Sequence, residues 1–169
     1  MANELCPGYE ITRGSSLDRA SLVKVMQKTY QELHPKQPVT HLVQTVDQYL
    51  SSDTPLWWVY IQSPSPIPTL SLSARSSCQT AVGCLWLGDA IDQIEGDRHA
   101  YIFLLYVYPK YRRQGIGTAL MDKAEQWAMK RGDRKISLQV FTDNYIALSM
   151  YHQLDYKPQS LWMTKRLNL

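Results

Sequence analysis

The sequence predicts a mixed α/β domain in which amphipathic helices cover a sheet. Residues 101–107 are apolar at every position, which is typical of a central strand buried on both faces. From about Gly115 onward, apolar residues recur at helical spacing, and Gly132 provides the usual C-terminal stop. The chain has 169 residues, of which 44% are hydrophobic, so it is long enough to bury a core. We therefore expect a single domain over residues 1–169.

The other elements alternate along the chain in a similar way. Strands are predicted at 9–13, 56–61, 81–87, 135–141 and 161–167, from runs of apolar and β-branched residues. Two apolar stripes predict helices between the first two of these strands, running from Leu22 to Leu33 and from Leu42 to Leu50. Ser16 or Asp18 is expected to cap the first helix. Such paired helices usually cover one face of a sheet.

Two loops interrupt this pattern. Residues 63–80 contain three prolines and six serines, which predicts a surface loop that does not pack. Residues 88–98 carry four acids, Asp89, Asp92, Glu95 and Asp97, before the central strand. These acids favour a solvated hairpin tip over a surface that attracts a cationic substrate.

Charge and cysteine content exclude several classes of protein. The net charge of +3 is mild and the basic residues form no long stripe, so nucleic acid is not expected as a partner. The three cysteines, Cys6, Cys78 and Cys84, are odd in number and have no Cys-x-x-Cys spacing, which indicates neither a disulfide framework nor a metal site. No segment reads as a signal or a membrane span. These features predict a cytoplasmic protein without a membrane partner.

The turn between the central strand and the following helix has the clearest chemistry. Pro109 ends the strand, and Lys110, Arg112 and Arg113 then lead into Gly115-Ile116-Gly117. A helix N-terminus presents unpaired N–H groups and a partial positive charge, and glycines allow close approach of a ligand. Three cations beside such a helix start favour a phosphate or pyrophosphate ligand.

This turn does not match two common phosphate loops. The P-loop requires Lys-Ser/Thr after its last glycine, where this chain has Thr118-Ala119, and a dinucleotide fingerprint requires a glycine where Leu120 stands. The spacing Arg112-x-x-Gly115-x-Gly117 after a Val-x-Pro strand end resembles the acetyl-CoA-binding motif of the GNAT superfamily of N-acetyltransferases.

A second segment strengthens the resemblance. Gln139 and the residues after it lead to Asn144, and a helical stripe through Ala147 and Tyr151 follows. This arrangement is similar to the second GNAT motif, in which a helix carries an asparagine and a tyrosine. Taken alone, Asn144 is a natural helix cap and Tyr151 is a core residue. Beside the basic turn, both are candidates for contact with a bound thioester.

The resemblance implies a fold, a cosubstrate and a site. The fold is a mostly antiparallel sheet of six to seven strands with about four helices, in which two central strands splay apart to admit acetyl-CoA. By position, the acyl arm would pair with the central strand and the pyrophosphate with the turn, and Tyr151 would be the general acid. The implied cofactor-binding residues are Leu105, Tyr106, Val107, Arg112, Arg113, Gln114, Gly115, Ile116, Gly117, Thr118 and Asn144.

Two departures from the family pattern leave the chemistry open. Gln139, Phe103 and Leu104 stand where many relatives have acids, so no carboxylate is assigned as the base that deprotonates an amine acceptor. Asp155 replaces a glycine after the last helix.

The favoured function is transfer of acetyl to a primary amine of a small molecule, peptide or protein. The alternatives are a non-catalytic acyl-CoA-binding module and a nucleotide-phosphate binder. A homodimer is possible, and the sequence does not identify the acceptor.

Overall fold

The computed structural model describes residues 4–62 and 80–167. Contacts divide the chain into two compact units, Met1–Gln139 and Val140–Leu169. The predicted loop at 63–80 lies outside the described residues, apart from Thr80.

The described residues of the first unit form a six-stranded sheet in which every strand lies next to its neighbours in sequence. Strands β1 to β5 pair in an antiparallel manner, whereas β5 and β6 are parallel. The mostly antiparallel sheet that the resemblance implies is therefore confirmed. Its strands are β1 (Glu4–Cys6), β2 (Tyr9–Arg13), β3 (Leu56–Ile61), β4 (Gly83–Ile91), β5 (Arg98–Val107) and β6 (Ile136–Leu138).

Four α-helices are present among the described residues, three of them in the first unit. They are α1 (Arg19–Leu33), α2 (Leu42–Tyr49), α3 (Ile116–Arg131) and, in the second unit, α4 (Tyr145–Gln153). Asp18, one of the two predicted caps, is the N-cap residue of α1, but its side chain makes no capping hydrogen bond to that helix. It accepts instead from the Ser15 backbone N–H, in a capping box in which Ser15 caps the short 3-10 turn before α1. Glycines in left-handed conformations flank α3, at Gly115 and Gly132. Within the described part of the chain, no helix has the length and hydropathy of a membrane span.

The core of the first unit lies between the helix pair α1/α2 and one face of strands β3 to β5. Leu22 and Val46 from the helices meet Trp58, Trp86 and Leu104 of the sheet, and all five side chains are buried. Cys84 belongs to the same cluster and is fully buried, which raises the pKa of its thiol. The predicted covering role of the paired helices is thereby confirmed.

Strand β4 is longer than the sequence predicts, because it continues through Gly88 instead of turning there. The β4–β5 register shifts between Trp86 and Leu87, which leaves Phe103 as an extra residue in a β-bulge. The Phe103 ring stacks on Trp86 at 4.7 Å and occupies the space above Gly88, where a Cβ would lie 2.1 Å from the ring. Gly88 is therefore required by this close packing, and the acidic turn begins only at Asp92.

Two predicted strands differ from the structure near the C-terminal end of the chain. The predicted strand at 135–141 is reduced to β6, with three residues. Residues 161–167 form no strand, and Leu161, Trp162 and Met163 are exposed. These residues favour the extended conformation, but such a segment becomes a strand only when a neighbouring strand supplies hydrogen bonds.

Candidate active site

The central strand loses its partner halfway along its length. Strands β5 and β6 pair only from Ala100–Ile136 to Ile102–Leu138. Strand β5 continues for five more residues, Phe103–Val107, and within the part of the chain that the structure describes this stretch has no strand partner on the β6 side. The predicted cofactor-binding residues Leu105, Tyr106 and Val107 lie on this stretch, which follows the bulge.

The turn after β5 presents backbone N–H groups at the start of α3. A short 3-10 helix at Pro109–Tyr111 is followed by two residues with left-handed backbones, Arg113 (φ 62°) and Gly115 (φ 81°). The first intrahelical hydrogen bond runs from the Ala119 N–H to the Gly115 carbonyl, at 3.0 Å. The N–H groups of Ile116, Gly117 and Thr118 precede it and therefore have no acceptor within the helix. A Cβ built on Gly115 meets no atom within 4 Å, so the positive φ, and not a close contact, is what favours glycine at this position.

Two side chains of this turn are tied back to the fold. The Arg112 guanidinium donates from Nε to the Val107 carbonyl at 2.8 Å and from Nη2 to Glu32 Oε2 at 2.6 Å. Gln114 accepts a hydrogen bond of 2.5 Å from the Tyr9 hydroxyl through Oε1. The turn is thus fixed from α1 on one side and from β2 on the other.

The remaining cations of the turn are not neutralised by an ion pair. Among the described residues, no carboxylate lies within ion-pair distance of Lys110 or Arg113, and the Lys110 ammonium lies 5.7 Å from the Tyr111 ring centroid. These charges add to the positive end of the α3 dipole. The arrangement suits an anion with several oxygens, such as a pyrophosphate. No cluster of metal-ligating side chains occurs in residues 4–62 and 80–167.

The second unit holds the other two predicted site residues. The Asn144 side chain caps α4 by accepting a hydrogen bond of 3.2 Å from the Ala147 N–H, as its sequence position indicates. Burial raises the pKa of Tyr151 to about 12. The phenol is therefore protonated at neutral pH and able to donate a proton. Asp155 follows with φ 63°, the left-handed conformation that its place after the helix requires.

The acidic residues of the β4–β5 hairpin are held by basic partners from the end of α3 and beyond. Asp89 pairs with Arg131 at 2.6 Å, and Lys135 pairs with Asp92 at 2.8 Å and with Glu95 at 2.9 Å. Asp97 pairs with Arg134. These ion pairs join the β4–β5 hairpin to the end of α3 and to the residues that follow it, and we call them the clamp.

Three hydrogen bonds lower the pKa of one of these acids, Asp92. They come from Lys135 and from the Glu95 and Ile94 N–H groups, and they hold the pKa of Asp92 well below its usual range.

Glu32 and Tyr9 were missed by the sequence analysis, although both contact the predicted turn. Glu32 follows Val25 by seven residues, so it continues a buried face of α1 with a charged side chain. A carboxylate at such a position was the available signal. Tyr9 carries no comparable signal, because the sequence pattern of its strand indicates only that one face of the strand is buried.

Comparisons with known proteins define the class of protein and then the family. Solved structures with the same fold include a Pyrococcus furiosus protein assigned as an acetyl transferase (TM-score 0.71, 24% identity, 94% of this chain and 99% of that one). Another is an aminoglycoside N-acetyltransferase in complex with CoA (TM-score 0.63, 13% identity, 95% of each chain). The chain thus shares the fold of these two proteins. The model of the Acetyltransferase (GNAT) family matches residues 22–156, so the chain belongs to this family.

Relatives of known sequence agree with this assignment. An uncharacterized N-acetyltransferase of Methanocaldococcus jannaschii is 37% identical over 92 residues, which cover 52% of this chain and 39% of the relative. An aminoglycoside N(6')-acetyltransferase of Acinetobacter genomosp. 13 is 31% identical over 91 residues, covering 52% of this chain and 62% of the relative. The matches therefore span about four to six tenths of the length of these relatives.

Proposed function

We propose that this protein is an acetyl-CoA-dependent N-acetyltransferase that moves acetyl directly to a primary amine. The single observation that carries the proposal is the start of α3, where three N–H groups without intrahelical acceptors follow a turn that carries the cations Lys110 and Arg113. A structural neighbour with CoA bound supports the choice of cosubstrate. The related Acinetobacter enzyme is named for an amine-bearing substrate class, which supports an amine acceptor. We also propose a cytoplasmic location, as the cysteine pattern predicts.

The residues of the turn divide into ligand-binding and supporting groups. We assign the pyrophosphate of acetyl-CoA to the backbone N–H groups from Arg113 to Thr118, with Lys110 and the Arg113 side chain supplying charge. The Val107 carbonyl already accepts a hydrogen bond from Arg112. We therefore assign the acyl arm chiefly to the strand edge around Leu105 and Tyr106. Acetyl-CoA supplies the activated acetyl group, which the acceptor amine receives without a covalent enzyme intermediate.

The proton required by the departing thiolate is assigned to Tyr151. Its half-buried phenol, with a pKa of about 12, stays protonated throughout the physiological range. Neither Asp89 nor Glu95 is a free base, because each is held in an ion pair. Gln139 cannot accept a proton usefully either. We therefore propose that the acceptor is an amine of low pKa or that its proton leaves through water, with no single carboxylate as the base.

Replacement of Tyr151 tests this assignment. We expect Tyr151→Phe to lower kcat about a hundredfold while the KM for acetyl-CoA changes little, because the proton is needed only as the thiolate leaves. The measurement is steady-state turnover of acetyl-CoA with an amine identified by mass-spectrometric screening. Tyr156→Phe, which changes a tyrosine 5.9 Å away between ring centroids, is the matched control. A wild-type kcat for Tyr151→Phe, in a reaction limited by chemistry, would contradict the assignment.

A further inference from the structure

Glu32 connects three elements of the first unit through both of its carboxylate oxygens. Oε1 accepts a hydrogen bond of 2.6 Å from the Tyr106 hydroxyl, and Oε2 accepts one of 2.6 Å from Arg112. Tyr106 belongs to β5 and Arg112 to the basic turn, 74 and 80 residues away along the chain. One side chain of α1 therefore holds both the central strand and the turn that follows it.

Arg112 and Tyr106 also contact each other, so the three side chains form a closed set. The Arg112 guanidinium lies over the Tyr106 ring, 5.5 Å from its centroid, and its Nε donates to the Val107 carbonyl. Burial tends to raise the pKa of Glu32, but the hydrogen bonds from Tyr106 and Arg112 outweigh it and hold that pKa below its usual value. Glu32 is thus ionised at neutral pH and occupied by two donors, which makes it a poor proton acceptor for catalysis.

The turn next to Arg112 needs external support. Arg113 adopts a left-handed backbone conformation, which is unfavourable for a residue with a side chain. Arg112 stands immediately before it and Gln114 immediately after it. Each of these two neighbours is tied to another element, Arg112 to Glu32 and Gln114 to Tyr9. One side-chain contact on each side of the strained residue holds the turn in its conformation before a ligand binds.

We propose that Glu32 is a positioning residue that holds the turn in its anion-binding conformation through Arg112 and so tightens the binding of acetyl-CoA. The proposal rests on the function proposed above. Arg112 then acts as a brace whose side chain is engaged inside the protein, and it does not serve as a phosphate ligand. The ligand is bound by the backbone that the brace holds in place.

Simple electrostatics makes the opposite prediction, which gives the proposal a sharp test. A carboxylate beside an anion site repels the anion, and its removal would free Arg112 to attract the phosphates. On charge alone, Glu32→Gln should bind acetyl-CoA more tightly. If Glu32 positions the turn, Glu32→Gln should bind more weakly, because the substitution replaces one of the two accepting oxygens with an NH2 donor and removes the charge that holds Arg112.

The experiment is isothermal titration of acetyl-CoA into the wild type, Glu32→Gln, Arg112→Lys and the double variant. We expect each single change to raise Kd about three- to tenfold and the double variant to be little worse than the weaker single one, since both remove the same contact. Asp47→Asn is the matched control. It breaks the Arg19–Asp47 pair, another arginine–carboxylate contact of α1, whose Nη2–Oδ2 distance is 2.8 Å, and it should leave Kd unchanged.

Two further readouts separate positioning from general loss of structure. The amide NMR signals of Gly115 and Gly117 should shift in Glu32→Gln and stay in place in Asp47→Asn. The KM for acetyl-CoA should rise while kcat at saturation is retained. Unchanged or tighter binding by Glu32→Gln would overturn the proposal.

Failure of the proposed function would appear differently, in the wild type. If the wild type does not bind acetyl-CoA, the titrations are repeated with inorganic pyrophosphate, which tests the turn without the rest of the cosubstrate. Weaker pyrophosphate binding by Glu32→Gln would then support positioning while the cosubstrate assignment falls. Absence of pyrophosphate binding by the wild type would overturn both.

Discussion

The two ends of helix α3 differ in how far their cationic side chains are neutralised by carboxylates. At the C-terminal end, Arg131 pairs with Asp89 and with Asp133, both at 2.6 Å. Lys135, just beyond the helix, pairs with two acids of the hairpin. At the N-terminal end, three cations of the turn meet one carboxylate among the described residues, that of Glu32.

This difference separates a charge cluster that supports the fold from one that is available to a ligand. Cations at a helix C-terminus interact favourably with the negative end of the helix dipole, and here the hairpin acids also neutralise those cations. Cations at a helix N-terminus oppose the dipole, which is unfavourable unless an anion arrives. The unfavourable arrangement occurs at the end that follows β5, which supports the binding site proposed there.

The largest effect is expected at the N-terminal end, from Gly117→Val. A branched side chain at the second position of α3 would block approach to the N–H groups, so loss of two charge-assisted hydrogen bonds should weaken acetyl-CoA binding about a hundredfold. Titration calorimetry measures the change. Met129→Val places the same residue at an exposed position near the other end of the helix and should bind normally. Equal affinity of Gly117→Val and the wild type would remove the basis for the phosphate site.

A smaller effect is expected at the C-terminal end, from Asp92→Asn. The amide keeps an acceptor for the N–H groups of Ile94 and Glu95 but loses the ion pair with Lys135, so Tm at pH 7 should fall by about 1 to 3 °C. Binding of acetyl-CoA should not change.

The pH dependence of that effect has a defined sign. Because the pKa of Asp92 is lowered in the folded state, its stabilising contribution is present above the unfolded value of about 3.9 and is lost as the pH falls below it. The difference in Tm between wild type and Asp92→Asn should therefore shrink below about pH 4. A difference that grows in acid would contradict the assigned cause.

The smallest effect is expected from Asp89→Ala and Glu95→Ala in catalysis. Because both carboxylates are held by cations of the clamp, neither should contribute an ionisation to the pH–rate profile of kcat/KM. The profiles are measured with one acceptor, and its own titration is accounted for. Disappearance of an ionisation in either variant would identify a dedicated base and erase the distinction between the two ends.

The parts of the molecule that the sequence predicted well are those determined by local pattern. Strand β3 and helix α3 follow from uninterrupted apolar or helical periodicity and from flanking glycines, and their bounds agree with the structure. Strand β4 was predicted too short because Gly88 signals a turn in isolation, whereas here it makes room for the Phe103 ring. No local pattern reveals which ring will lie over a glycine.

The site shows the same division. The helix start and its glycines are local features, and so is the Asn144 cap. The link from Glu32 to Arg112 spans 80 residues, and only the assembled sheet brings the two side chains together. The predicted strand at 161–167 failed for the related reason that a strand needs a partner that sequence periodicity does not name.

The burial of Cys84 makes this cysteine an internal reporter of unfolding. Its thiol lies on β4 beneath α1 and α2 with no exposed surface, and burial raises its pKa, so little reactive thiolate forms in the folded protein. An alkylating reagent can reach this sulfur only when the helix pair leaves the sheet. The rate at which Cys84 is modified in native buffer thus measures how often that layer opens.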